Sequence, residues 1–151
     1  MKLFKSKPDF FSQKEQEDIL KAITEAEKRT SGEIRIFIES RCKYVEPLDR
    51  ASEIFHNLMM DKTAQRNAVL LYLAVKDHQL AIFADEGIHM KTGKDFWKKE
   101  VQVMLTHFNK HDFAAGIVHV VKEIGDALIY HFPYLENVDK NELPDDIVFG
   151  K

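Results

Sequence analysis

Between Phe10 and Pro133 the chain switches between stretches whose apolar residues recur every three or four positions and stretches where they recur every second position or run unbroken. Ser12 is placed to cap a helix with Glu15 three residues on, and Ile19, Leu20, Ile23 and Ala26 follow at helical spacing up to about Lys28. Thr30, Ser31 and Gly32 break that pattern. Ile34, Ile36 and Ile38 then alternate with Arg35, Phe37 and Glu39, which predicts a strand. Pro47 suits the first turn of a second helix carrying Leu48, Ala51, Ile54, Phe55, Leu58 and Met59 on one side. After a polar connection from Asp61 to Asn67, Val69 to Val75 is apolar throughout, as expected of a central strand covered on both faces. Lys76, Asp77 and His78 form a tight connection to a further strand, Leu80 to Ala84, which ends at Asp85 and Glu86. A third helix is predicted from Thr92 or Gly93 with Phe96, Trp97, Val101, Met104, Leu105 and Phe108. A fourth follows Asp112 as its cap and carries Phe113, Ile117, Val120, Val121, Ile124, Leu128 and Phe132.

A helix between the first two strands implies parallel pairing, and the short turn after the second implies an antiparallel third. The expected fold is therefore α/β, a three-layer sandwich with a central mixed β-sheet flanked by helices. Residues 1–133 form one domain in this reading, followed by an extended acidic tail over 134–151. That tail ends in the apolar triplet Ile147, Val148 and Phe149, for which three placements are open: the edge of the chain's own sheet, a groove, or another chain. Docking on its own molecule is the plainest.

Composition narrows the function classes. A length of 151 residues suits one core, and the single Cys42 cannot form an internal disulfide. No apolar stretch approaches the ~20 residues of a membrane span, and the N-terminus lacks a signal-peptide core, so a cytoplasmic monomer is expected. With 22 basic against 25 acidic residues there is no electrostatic footprint for nucleic acid. Lys94, Lys98 and Lys99 fall at helical spacing and read as a solvated face. Glycine-rich phosphate loops, the GxSxG elbow and HExxH are all absent, which removes support for the corresponding chemistries. Cys42, between Arg41 and Lys43, reads as a loop cysteine without function, and the His107/His111 pair as a helix end rather than a metal site.

The acidic residues at strand ends carry more. Glu39 and Asp77 follow the two parallel strands, at the end where open α/β sheets bind ligands. An antiparallel third strand returns Asp85 and Glu86 to the opposite edge, beside Glu33 and Asn67 where the first two strands begin, with Asp61 on the entering loop. Adjacent carboxylates there require either open water or a cation, because buried unpaired anions cost several kcal/mol each. Two readings stand: a solvated acidic rim, or an oxygen-ligand site for Ca²⁺ or Mg²⁺.

Together the segments TSGEIRIFIE, DRASEIF, TAQRNAVLLYLAVKDHQLAIFADEGI, FWKKEVQVMLTHF and DFAAGIVHVVKEIG resemble the TPM domain, and the ending NELPDDIVFG is similar to that of its short, stand-alone bacterial members. The resemblance implies a three-layer domain with a mixed sheet, and, from plant relatives, divalent-metal binding and acid phosphatase activity. It places the site at the loop entering the second strand and the turn after the third, here Asn67 and Asp85, Glu86 and Gly87. Two departures stand out: ADEGIH replaces a Gly-aromatic-Gly run followed by Glu, and Arg66 stands where an Asp often precedes the Asn. The expectation is a module binding a divalent cation through Asp85, Glu86, Glu33 and Asp61, with Arg66 and Asn67 as further ligand contacts. Its alternatives are a metal-dependent phosphatase and a module that recruits an unidentified protein partner through its tail.

Overall fold

Ser12 opens the first helix as its spacing predicts. Its hydroxyl accepts from the Glu15 amide at 3.1 Å, and its own amide donates to Glu15 Oε1 at 2.9 Å. Helix α1 (Gln13–Glu27) thus begins with two terminal amides satisfied, and it buries the stripe Ile19, Ala22, Ile23 and Ala26. The computed structural model describes residues 11–134 and 147–150. Strand β1 (Glu33–Glu39) follows, then α2 (Pro47–Asn57), a single 3₁₀ turn at Met60–Lys62, and the paired strands β2 (Ala68–Ala74) and β3 (Gln79–Ala84). Helices α3 (Glu86–Thr92), α4 (Lys94–Asn109) and α5 (Phe113–His131) come next, and β4 (Ile147–Phe149) is the last described element.

The strands lie in the order β3-β2-β1-β4. β1 runs parallel to β2 in the register Glu33↔Ala68 to Glu39↔Ala74, and β2 runs antiparallel to β3 from Val69↔Ala84 to Ala74↔Gln79. The fold is an α/β three-layer sandwich around a mixed sheet. On one face Ile34, Ile36, Ile38, Val69, Leu71 and Leu73 pack with residues of α1, α4 and α5. On the other, Phe37, Leu70 and Tyr72 pack with Ala51, Ile54 and Phe55 of α2 and with Met60. Because α2 covers that second face, Arg35 and Glu39 are buried instead of facing solvent, although their alternation with isoleucine resembles a half-exposed strand.

Three local expectations are corrected. Asp85 and Glu86 do not end an open turn: Asp85 caps α3, an additional short helix ahead of α4. The Asp112 side chain makes no cap to α5, and its carboxylate faces His107 Nδ1 at 3.3 Å instead. His111 lies beyond α4 with φ 55°, so it does not share a helix face with His107. As for the apolar triplet, Ile147, Val148 and Phe149 extend the chain's own sheet, parallel to β1 at Ile36, Phe37 and Ile38. No helix among the described residues is long and apolar enough to cross a membrane.

Candidate functional site

The antiparallel return of β3 brings the ends of the hairpin together. The Asp85 amide donates to the Ala68 carbonyl at 2.9 Å, and Ala68 is in register with Glu33. Glu33, Asn67, Asp85 and Glu86 therefore share one edge of the sheet, as the topology predicts. Only Glu86 among them is exposed; Glu33 and Asp85 each retain 3 % of their accessible surface and Asn67 1 %. This edge is not a solvated rim.

Arg66 supplies the counter-charge. The backbone turns through φ 54° at Arg66, immediately before β2. Its Nε donates to Asp85 Oδ2 at 2.7 Å and its Nη2 to Asp85 Oδ1 at 2.8 Å, a bidentate fork that matches the carboxylate plane. Nη1 lies 3.3 Å from Glu86 Oε1. Asp85 Oδ1 also accepts from the Glu86 amide at 2.8 Å, so one carboxylate both caps α3 and anchors the guanidinium. The hydrogen bond to Asp85 raises the Arg66 pKa, with Asp85, Glu86 and Asp61 adding to it by charge. Asp61, on the 3₁₀ turn, faces Lys62 Nζ at 3.8 Å.

Gly87 sets how closely α3 approaches this loop. A Cβ at that position would lie 2.1 Å from the Gln65 carbonyl oxygen and 2.5 Å from that of Arg66. With no side chain there, the Ile88 amide donates to the Arg66 carbonyl at 3.3 Å. Asn67 is fixed on the other side: its amide donates to Thr63 Oγ1 at 3.3 Å and its Nδ2 to Ser31 Oγ at 3.1 Å. Its Oδ1 is buried with no hydrogen-bond partner among the described residues.

These contacts test whether the residues suit a divalent cation. Both oxygens of Asp85 are committed, and among the described residues no group of three or more His, Cys, Asp and Glu side chains is arranged to hold a metal. As folded, the donor set does not form a cation cage. A cation would have to displace Arg66 from Asp85, with Glu86, Asp61 and the orphaned Asn67 Oδ1 as remaining oxygens.

The opposite end of the sheet holds a second buried carboxylate. Glu39 accepts from Arg50 Nε and Nη2, each at 2.9 Å, and from the Tyr72 hydroxyl. Burial pushes the Glu39 carboxyl up, but the hydrogen bonds from Arg50 and Tyr72 and the Arg50 charge outweigh it and hold the carboxyl below its ordinary value. Arg50 continues to Glu53 Oε1 at 2.5 Å, and Asp77 accepts from Arg41 Nη1 at 2.6 Å and from the Cys42 amide at 2.8 Å. The carboxylates at the ligand-prone end of the parallel strands are thus held by internal partners. Arg50 and Tyr72 do not stand out in the sequence because their roles depend on α2 packing over β2 and β3 so that Arg50 reaches Glu39 of β1; Tyr72, a hydroxyl within an otherwise apolar run, is the one local signal.

Residues 5–127 match the family profile of the TPM domain. The chain belongs to the TPM domain family. Among solved structures, the BA42 protein of the psychrophilic bacterium Bizionia argentinensis is 38% identical, with 95% of this chain and 98% of that one covered and a TM-score of 0.85. The N-terminal domain of cg2496 from Corynebacterium glutamicum shares the fold at 12% identity, with 91% of this chain and 80% of that one covered and a TM-score of 0.62. No curated protein matches the chain. In this TPM domain the loop entering β2 and the cap of α3 come together through an arginine–aspartate fork.

Proposed function

We propose that this TPM domain is a binding module whose working edge is the Arg66–Asp85–Glu86 cluster, and that a divalent cation binds there weakly, in competition with Arg66. The observation that carries the reading is the bidentate Arg66–Asp85 fork with its third contact to Glu86. It meets the electrostatic need that a cation would otherwise meet, and it leaves Glu86 and Asp61 as the oxygens nearest to water. Ca²⁺ suits such a set better than Mg²⁺, because it tolerates irregular oxygen ligands whereas Mg²⁺ demands near-octahedral geometry. The module would then present a charge that changes with cation occupancy to a protein partner.

Titration of the wild type and of Arg66→Ala with Ca²⁺ and Mg²⁺, followed by amide NMR, tests this. Wild-type shifts should cluster at residues 33, 61, 66–67 and 85–87 with a Kd on the order of 1 mM, and the variant should bind more tightly. Shifts scattered elsewhere, or a variant that binds no better, would sink the competition. Phosphomonoester hydrolysis that requires the metal and disappears in Asp85→Asn would replace the module with a metal-dependent phosphatase.

A further inference from the structure

Glu100 lies on α4 with none of its surface exposed, one turn after the buried Trp97. Neither carboxyl oxygen has a hydrogen-bond donor among the described residues if the group is ionised. Glu39 is about as buried, but two donating side chains hold it; Glu100 has no such support. The charges acting on it are those of Glu123 of α5 and Lys99 of α4.

Burial without a donor and a nearby like charge both favour the protonated form of a carboxyl. Glu123 is the more accessible of the two. It is 35% exposed, and Lys99 Nζ and His119 Nε2 each lie 4.0 Å from its Oε1. Lys99 and His119 both lie beside Glu123, and Glu100 is left on the dry side. Of the other elements packed on α4, β3 carries no charged side chain and α3 carries Glu86, His89 and Lys91.

We propose that the α4–α5 joint is a proton-dependent fastening, closed while the buried, donor-less Glu100 carboxyl keeps its proton, and loosened when that proton is lost. No other group changes its covalent state; the proton passes to water, and a buried carboxylate without a donor is left in the joint. Burial first, and the Glu123 charge second, push the Glu100 carboxyl up to about 7 from an ordinary 4.5. Because the folded value lies above the unfolded one, the stabilisation is complete below pH 4.5 and is lost as pH rises through about 7.

The test is a ¹³C NMR titration of the glutamate carboxyl carbons in the full chain, with the fluorescence of Trp97 and the folding equilibrium followed from pH 5 to 8. Glu100 should titrate near 7, with Trp97 emission changing over the same range. The folding constant of the wild type relative to Glu100→Gln should fall at least about tenfold from pH 5 to 8. Glu123→Gln keeps an acceptor but removes the like charge, and it should move the Glu100 midpoint downward. A Glu100 midpoint at the ordinary carboxyl value, a Trp97 transition that persists in Glu100→Gln, or a flat ratio would overturn the proposal. If Glu100→Gln does not fold, the carbon titrations of the wild type and Glu123→Gln decide alone.

Discussion

Asp85 shows how a single side chain can answer a question posed by its neighbours. Two adjacent carboxylates at a strand end call for water or a cation, and here the cation is covalently part of the chain, nineteen residues earlier. The fork holds only if α3 comes close to the Arg66 loop, which makes Gly87 its geometric condition. Gly87→Ala would place a methyl 2.1 Å from a backbone oxygen, so the loop or the helix must move. The expected loss is about 1–3 kcal/mol in urea denaturation, with amide shifts concentrated at Arg66 and Asp85. Unchanged stability would mean that α3 sits farther from the loop. At the other end, Tyr72→Phe keeps the ring packing but takes a donor from buried Glu39, and should cost about 1–2 kcal/mol by the same measurement.

At the scale of elements, β4 is the shortest strand of the sheet. Three residues make a marginal strand, yet Ile147 is 1 % exposed within the main core cluster, and the Gly150 amide continues the ladder to Ile38 at 2.7 Å. Ile147→Ala should therefore destabilise by about 2 kcal/mol, the low end for buried isoleucine because an edge strand can relax. The loss should be the same at micromolar and at tenfold higher protein concentration; a concentration-dependent melting temperature would mean that the triplet exchanges between molecules. Much of the fold is legible in the amino-acid pattern, since the unbroken Val69 to Val75 run and the isoleucine alternation follow from burial on both sides of one sheet. What the pattern hides is relational. Asp85 and Glu86 read as a turn because a seven-residue helix has too little periodicity to show, and its cap depends on an arginine in another loop. Strand topology predicts the shared edge, but not that Arg66 is its counter-ion.

For the whole molecule, the two buried glutamates place opposite limits on stability. Glu39 is held below its ordinary value, so the stability it confers is present above that value and lost as pH falls through the lower, folded one. Glu100, raised to about 7, limits the alkaline side. The two lie on opposite faces of the sheet, Glu39 bonded to Arg50 of α2 and Glu100 on α4 in the other helical layer. Arg50→Met should cost about 2 kcal/mol at neutral pH, below the full cost of breaking a buried pair because Arg50 keeps a quarter of its side chain in water. That cost should shrink as pH falls through the lowered, folded Glu39 value, where the carboxyl takes up its proton in both proteins. Glu100→Gln should instead lift the curve above pH 6 and leave the acid limb unchanged. With no shared partner, the effects should add within about 0.5 kcal/mol in the double variant at every pH. A larger discrepancy would mean that the sheet couples the α2 layer to the α4–α5 joint, and hydrogen exchange of the β2 amides would then show the opening of one layer in the variant of the other.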